Sequence, residues 1–315
     1  MPGLSRPELP LSRSEHDRDY LSRSRPQLFD ELAADPATRV LVLWQGKTLV
    51  TNDALDLLPS DRVPMAELRI YLGRSLSTSS PEPVGTPVIA AVVSDEVAEQ
   101  LSPDPASWVG LRSVGAALSR RDAGLLTEAL AMANWHEAHA FSPRTGEPTL
   151  SEFGGWVRTG PAPSGGPAQE NFPRTDAAII VGITDAEDRL LLGANALWEK
   201  NRYSLLAGFV EPGESLESAV LREVYEESGV RVTDPVYFGS QPWPFPASLM
   251  LGFRATVDPD QEWTLGADGV EILDLRWFSR EELRAADIIL PGRTSIARYI
   301  IEDWFGEPID DGQAW

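Results

Sequence analysis

One stretch constrains the fold of this chain more than any other part of the sequence. Gly208 to Val230 reads GFVEPGESLESAVLREVYEESGV. Ser215 is suited to cap a helix and Gly229 to end one, and apolar residues recur between them at helical spacing. The sequence therefore predicts a glycine-containing turn that leads into a helix over residues 215–228.

Three glutamates share one side of this predicted helix. Glu223 and Glu227 are four residues apart, and Glu226 is three from Glu223, so their carboxylates face the same way. Like charges at this spacing weaken an isolated helix by roughly 0.2–0.5 kcal/mol per pair, so a compensating cation is expected. Mg²⁺ prefers oxygen ligands and can add a substrate diphosphate to its shell. Glu223 and Glu227 are therefore the leading candidate ligands, and a merely solvated acidic face is the alternative.

The whole stretch fits the pattern G-x5-E-x7-R-E-U-x-E-E-x-G-U, with U aliphatic, at every fixed position. This array resembles the Nudix box of hydrolases that cleave a diphosphate linked to another moiety. The resemblance implies a metal-dependent pyrophosphatase with an α+β fold, an α/β/α sandwich. Arg222 is expected to ion-pair with Glu214 and to orient the loop before the helix, rather than to contact substrate.

A second motif lies downstream. Ser240 to Ser248 reads SQPWPFPAS, a segment too stiff and too poor in donors for a central strand. A rigid loop with Trp243 and Phe245 in the core is the simpler interpretation. The array also resembles, residue for residue, the SQPWPFPxS motif of NADH pyrophosphatases among Nudix proteins. This resemblance covers residues 111–305 well and the first hundred residues in outline.

The resemblance implies a set of site residues. The implied metal ligands are the main-chain carbonyl of Ala207 and the side chains of Glu223, Glu227 and Glu271. The implied catalytic group is Glu214, Arg222, Glu223, Glu226 and Glu227, with Glu226 as a further metal ligand or a neighbour of one. The implied substrate contacts are Gln241, Pro242, Trp243, Pro244, Phe245, Pro246, Ala247 and Ser248, with Phe172, Phe209, Ala297 and Arg112.

The implied reaction is hydrolysis of NADH or NAD to AMP and NMNH or NMN, with Mg²⁺ or Mn²⁺. Glu227 can act as a metal ligand or as a general base. Both roles need the same carboxylate at the same place, so the sequence leaves both assignments open. Hydrolysis of another nucleotide such as ADP-ribose is one alternative. A sensor that binds a nucleotide without cleaving it is another, although its box would tolerate the loss of glutamates and none is lost here.

The chain departs from many relatives in one respect. They carry two C-x2-C pairs just before the Nudix domain, which form a tetrahedral zinc site, whereas this chain has no cysteine. Ser142 and Thr145 stand where the first pair would be, and Ser164 and Pro167 near the second. The sequence therefore predicts a zinc-less variant. His136 and His139 are expected to be packing or surface histidines rather than ligands.

The composition limits which classes of partner and which cellular location can be expected for the chain. The net charge of −21 argues against a broad nucleic-acid surface, which needs many Lys and Arg contacts to phosphates, although the NAD-capped end of an RNA remains compatible. No apolar run approaches the roughly 20 residues of a membrane span, and the polar N-terminus lacks the core of a signal peptide. A cytoplasmic enzyme is expected. Because the relatives are homodimers, a homodimer is expected as well.

Hydrophobic runs and turn residues divide the chain. Residues 1–139 are predicted to form an NADH-pyrophosphatase-like domain of a small β-sheet plus a helix, with residues 1–28 loosely ordered. The predicted elements of this domain are strands at 39–44, 47–51, 67–73 and 87–93 and a helix at 122–139.

The remaining chain falls into three predicted parts. Residues 140–171 are predicted to form a connector that replaces the zinc ribbon and is ordered mainly by packing. Residues 172–305 are predicted to form the Nudix domain, and residues 306–315 an acidic tail. The predicted elements of the Nudix domain are strands at 177–184, 189–193, 204–210, 249–257 and 275–279 and helices at 215–228 and 294–305.

Overall fold

The protein was analysed as a computed structural model, which describes residues 8–63, 66–161, 166, 168–260 and 262–310. The described chain forms two compact units. The N-terminal unit contains Leu11–Thr175 and, from the proline-rich array, Trp243–Ala247. The C-terminal unit contains residues 8–10, 176–242 and 248–310 of the described chain.

The N-terminal unit is built on a mixed sheet of five strands. The sheet order is β1-β6-β7-β2-β5, and two further strands, β3 and β8, pair beside it with the short β4. The strands are β1 (His16–Asp17), β2 (Arg39–Leu43), β3 (Lys47–Thr51), β4 (Ala54–Leu55), β5 (Leu58–Pro59), β6 (Leu68–Ser75), β7 (Pro87–Val92) and β8 (Trp108–Gly110). The four strands predicted for this region are confirmed.

Four helices accompany this sheet: α1 (Leu28–Ala34), α2 (Asp95–Leu101), α3 (Leu111–Val114) and α4 (Arg120–Ala138). The long helix α4 confirms the predicted helix at 122–139. Its Leu125, Leu126 and Ala129 are fully buried in one core with Leu41, Ile70 and Leu72 from the sheet. Burial of such side chains contributes about 1.5–3 kcal/mol each, so α4 is fixed by packing rather than by intrinsic helix propensity.

Residues 8–24 carry regular structure that the sequence analysis did not predict. Pro10–Ser12 and Tyr20–Ser24 are 3₁₀ turns, and β1 lies between them. β1 pairs antiparallel with β6, and the residue His16 is 7% exposed. A Cβ on Gly124 would lie 2.9 Å from the Arg13 carbonyl oxygen, so the glycine permits this segment to lie directly on α4.

The predicted connector contains a small sheet. Three short strands, β9 (Leu150–Glu152), β10 (Val157–Gly160) and β11 (Gln169–Asn171), pair antiparallel in the order β11-β10-β9. The strands are too short and too polar to produce a clear alternating pattern, which is why the sequence suggested only packing.

The C-terminal unit holds the predicted sandwich. Its strands are β12 (Asp176–Thr184), β13 (Leu190–Asn195), β14 (Leu206–Phe209), β15 (Val232–Trp243), β16 (Ser248–Val257) and β17 (Ile272–Phe278). The last residue of β15, Trp243, belongs to the N-terminal unit. Its helices are α5 (Leu216–Ser228), α6 (Arg280–Ala285) and α7 (Ile296–Phe305). The sheet order is β15-β16-β12-β13-β17, with β14 paired to β12.

Alternation along β12 divides the core into two layers. Ile179, Val181 and Ile183 are buried against α5, whereas Ile180 is buried on the opposite face with α7. The predicted strands and both predicted helices are therefore confirmed. The edge strand β15 was not predicted as a strand, because prolines interrupt its sequence. An edge position tolerates them, since one side of the strand needs no ladder donors.

None of the helices in the described chain is long and apolar enough to cross a membrane.

Candidate active site

The box helix forms as its sequence predicts. α5 begins after Ser215, whose Oγ accepts a hydrogen bond from the Ser218 N–H at 3.1 Å. It ends at Gly229, which adopts a left-handed conformation with φ of 70° that favours glycine. Ala219, Val220 and Val224 are fully buried, so the face that carries the glutamates is fixed in orientation.

Arg222 ties the box loop to the box helix, as predicted. Its guanidinium donates to both carboxylate oxygens of Glu214, at 2.6 and 3.2 Å, and to the Phe209 carbonyl at 3.0 Å. The same group bonds Glu226 at 2.9 Å and lies 3.0 Å from Glu223. Bonds from Arg222 and from the Glu211 N–H lower the pKa of Glu214. Arg222 is thus fully engaged within the protein.

Gly208 and Glu223 are in intimate contact. A Cβ on Gly208 would lie 2.0 Å from the carboxyl carbon of Glu223, a distance that no real side chain tolerates. The first glycine of the box is therefore required because the glutamate carboxylate occupies the space above its Cα. Burial raises the pKa of Glu223, with opposing stabilisation of the anion by Arg222.

Glu227 is the most perturbed acid of the site. It is 5% exposed, and its Oε2 is buried with no hydrogen-bond partner. Burial, together with the negative charges of Glu271, Glu223 and Asp268, raises its pKa to about 8, while a bond with the Ala207 backbone opposes that rise. A positive charge added next to this carboxylate would stabilise its charged form.

Glu271 is presented by a loop that Asp268 organises. The Asp268 carboxylate accepts the backbone N–H groups of Val270, Glu271 and Ile272 at 2.7 to 2.9 Å. The Glu271 carbonyl accepts the Ala196 N–H at 2.8 Å. Sequence reasoning missed the role of Asp268, although the Asp-Gly pair at 268–269 is a signal for such a turn.

The residues present fit a divalent cation. Glu223, Glu227 and Glu271 are close enough for Glu223 and Glu271 to raise the pKa of Glu227, and the partnerless Oε2 of Glu227 is a free oxygen donor. Among the described residues, no group of three or more His, Asp or Glu side chains is already arranged as a metal cage. Like charges repel, and Glu223 is turned towards Arg222, so a cation would have to draw the carboxylates together.

Two predicted substrate contacts have buried side chains. Gln241 is fully buried, and its Nε2 donates to the Thr294 carbonyl at 2.9 Å. Ala297 is 1% exposed, within the core that surrounds α7. The structure gives both side chains packing positions, and neither presents a surface to a ligand.

The central part of the array lies in the N-terminal unit with Arg112. The guanidinium of Arg112 lies 4.1 Å from the ring centre of Phe245 and 5.2 Å from that of Trp243. Both rings are partly buried against the core of this unit, and burial lowers the pKa of Arg112. The structure thus brings Arg112 together with the array. The fold places the remaining members, Pro242 and Ser248, in the C-terminal unit.

Two aromatic residues predicted to contact substrate are exposed. Phe209, at the end of β14 beside the box, is 59% exposed, and Phe172, directly after β11, is 62% exposed. Exposed phenylalanine rings of this size offer faces on which a planar base can stack.

The positions that replace the first cysteine pair form a polar turn. Ser142 Oγ accepts the N–H groups of Arg144 and Thr145 at 3.3 Å, and Thr145 Oγ1 accepts the Glu147 N–H at 3.3 Å. The hydroxyls are therefore used within the turn. The positions of the second pair, Ser164 and Pro167, lie outside the described residues.

The two histidines nearby are held by protein groups. His136 is 4% exposed. Its Nε2 donates to the Gly155 carbonyl at 2.7 Å, and its Nδ1 accepts from Arg158 at 2.7 Å. His139 is bonded to the Trp135 carbonyl at 2.8 Å. His136 is therefore a buried packing residue and His139 a partly buried one, and the expectation that neither binds zinc stays a prediction.

Comparison with known proteins agrees with both motifs. Residues 173–300 match the NUDIX domain, and residues 37–135 match the NADH pyrophosphatase-like rudimentary NUDIX domain. The NAD-capped RNA hydrolase NudC of Mycobacterium bovis BCG Pasteur is 38% identical over 314 residues, covering 91% of this chain and 96% of that protein.

Two eukaryotic proteins are also similar. An NAD-capped RNA hydrolase of Schizosaccharomyces pombe is 36% identical over 67% of this chain and 63% of its own length. The NAD-capped RNA hydrolase NUDT12 of Macaca fascicularis is 35% identical over 59% of this chain and 42% of its own length.

Proposed function

The chain belongs to the Nudix family, with an NADH pyrophosphatase-like domain before its Nudix domain, and from this premise we propose that it hydrolyses the diphosphate bond of NADH and NAD. The products are AMP and NMNH or NMN. The observation that best supports the proposal is the complete Nudix box. Its Glu227 is buried near Glu223 and Glu271, and one oxygen of the Glu227 carboxylate has no hydrogen-bond partner.

The box residues have separate tasks in this proposal. Glu223, Glu227, Glu271 and the Ala207 carbonyl would hold divalent metal ions, which Nudix hydrolases generally use. Such ions offset charge on the phosphate oxygens and lower the pKa of a bound water. Arg222 and Glu214 hold the loop against α5 and keep the Ala207–Phe209 strand end in place. Glu226, bonded to Arg222, lies at the exposed edge of the cluster.

We assign Mg²⁺ or Mn²⁺ to the site and no zinc to the connector. Hard oxygen donors such as these carboxylates suit Mg²⁺ and Mn²⁺. The absence of cysteine and the use of the Ser142 and Thr145 hydroxyls within their own turn support a connector that folds without zinc.

The dinucleotide contacts are assigned within each unit by itself: Trp243–Ala247 of the array, with Phe172 and Arg112, in the N-terminal unit, and Pro242, Ser248 and Phe209 in the C-terminal unit. Similarity to NAD-capped RNA hydrolases supports the NAD-capped end of RNA as a second substrate. The net charge of −21 favours recognition of that end rather than of the RNA body. We also propose a cytoplasmic location. We further propose a homodimer, and sedimentation at two protein concentrations tests this oligomeric state.

A substrate panel tests the function. The purified chain with MgCl₂ is incubated with NADH, NAD, ADP-ribose, a dinucleoside polyphosphate and an NAD-capped RNA, and products are resolved by chromatography. NADH and NAD should have the highest kcat/KM among the free nucleotides. A preference for ADP-ribose would move the chain to another Nudix activity, and binding without cleavage of any substrate would make it a sensor.

A further inference from the structure

Asn134, on helix α4, contacts the proline-rich array at two points. Its Nδ2 donates to the main-chain carbonyl oxygens of Pro244 and Pro246, each at 3.0 Å. A primary amide has two N–H groups, so both are used by one short stretch of the array. Asn134 and the residues Trp243–Ala247 lie in the same unit.

The array needs donors from elsewhere in the fold. Pro244 and Pro246 have no N–H group, and one backbone bond within the segment runs from the Phe245 N–H to the Trp243 carbonyl at 2.7 Å. The carbonyls on either side of Phe245 instead meet the amide of Asn134. A side chain on a long, buried helix therefore determines where these two carbonyls lie.

Packing on this side of the array is incomplete. A cavity of about 480 Å³ lies beside Asn134, with Leu130 and Glu137 of the same helix and Phe245 of the array among its walls. The hydrogen bonds of Asn134 therefore act on the array beside an open space, where packing contributes less to its position. The Arg112 guanidinium contacts the rings of Phe245 and Trp243.

We propose that Asn134 is a positioning residue for dinucleotide recognition: it fixes the main chain around Phe245 so that the array is preorganised for the substrate. Preorganisation lowers the entropy lost on binding, so its loss weakens binding more than it slows the chemical step. The inference rests on the proposed function, since it takes the array to be the dinucleotide site.

The substitution Asn134→Asp tests this role. It preserves the shape of the side chain, removes both donors and places carboxylate oxygens against two carbonyl oxygens. The KM for NADH should rise by about 10-fold or more, while kcat stays within about threefold of wild type. Asn134→Gln keeps the donors and should recover part of the loss. Glu137→Gln, on the same helix and lining the same cavity, is the matched control and should behave as wild type.

Hydrogen exchange gives a readout that needs no substrate. In the Asn134→Asp variant the amides of residues 243–248 should exchange faster than in wild type, and those of α5 should not. Unchanged exchange in this segment would overturn the proposal. So would a lower kcat and melting temperature with an unchanged KM, because that pattern describes a purely structural residue. If wild type fails to cleave NADH, the proposed function fails, while the exchange comparison still decides the role of Asn134.

Discussion

At the scale of single residues, the box glutamates could be assigned from spacing alone, but their environment could not. The i, i+4 relation of Glu223 and Glu227 puts them on one side of any helix. Whether a carboxylate there is solvated or buried depends on strands far away in sequence. The structure buries Glu227 close enough to Glu271 for the two charges to interact, and it places Glu223 directly over Gly208, a contact that no local pattern predicts.

Glu227→Gln is the most informative substitution at the box. It preserves size, removes the ligand charge and should lower kcat for NADH by at least about 100-fold. Because a buried ionisable group becomes neutral, the melting temperature without added metal should not fall. Glu217→Gln, on the exposed first turn of the same helix, is the control and should keep wild-type activity. A Glu227→Gln variant with a third of the wild-type rate would contradict the assignment.

Gly208→Ala tests whether the Glu223 carboxylate must lie where it does. The new Cβ would overlap that carboxylate, so Glu223 must move, and activity should fall roughly 10- to 100-fold, as misplaced catalytic groups do. Gly266→Ala is a suitable control, since the nearest atom to its Cβ is 4.0 Å away. Wild-type kinetics of Gly208→Ala, with the variant folded by circular dichroism, would show that this position of Glu223 is not needed.

At the scale of elements, long periodic segments were predictable and short polar ones were not. Helices α5 and α7 each bury an apolar face, so their sequences carry a helical period, whereas α4, which is buried at every position from Arg121 to Leu130, is recognisable from its Ala- and Leu-rich sequence. Strands β9–β11 gave no such signal. They are held by side-chain bonds, among them those from Arg158 to Thr149 at 2.6 and 2.8 Å and to His136 at 2.7 Å.

His136 should make the stability of this region depend on pH. Burial, followed by the charges of Arg158 and His139, lowers its pKa from 6.5 to about 4, against the bond to Gly155. The unfolded chain therefore takes up the proton before the folded one does. The stability from this group is fully present above about pH 6.5 and is lost as the pH falls towards 4, by about 2 kcal/mol between pH 7 and 5.

Denaturant unfolding of wild type and His136→Gln at both pH values measures this loss. Carboxylates titrate in both proteins. The difference between the two proteins in how much the free energy of unfolding changes between pH 7 and pH 5 is therefore due to the histidine. Equal changes in unfolding free energy for the two proteins would show that His136 is not protonated on unfolding.

At the scale of the whole molecule, the order of domains followed from the sequence, but the division of the array did not. A contiguous SQPWPFPAS segment suggests one loop in one domain, whereas Trp243–Ala247 are part of the N-terminal unit and the residues on both sides are part of the C-terminal unit. Long-range packing decides that division. The same is true of residues 8–24, whose polar sequence conceals the buried His16 and its bond to Glu128 at 2.6 Å.

The chain should fold without zinc. Ser142 and Thr145 close their turn with hydroxyl bonds, so the connector has no need of a metal in this turn. Elemental analysis of the purified protein should find less than stoichiometric zinc, and a zinc-selective chelator should leave the melting temperature unchanged. One tightly held zinc per chain would contradict this expectation.

Product analysis of NADH hydrolysis tests whether the chain cleaves the diphosphate bond and whether Glu227 is needed for the cleavage. Three proteins are compared: wild type, Glu217→Gln and Glu227→Gln. Each is incubated with NADH and MgCl₂ in ¹⁸O-labelled water, and the products are separated and their masses measured by mass spectrometry. Wild type and Glu217→Gln should yield NMNH and AMP in equal amounts, with one ¹⁸O in one of the two products, and Glu227→Gln should not. Intact NADH with wild type, or equal turnover by Glu227→Gln, would contradict this prediction.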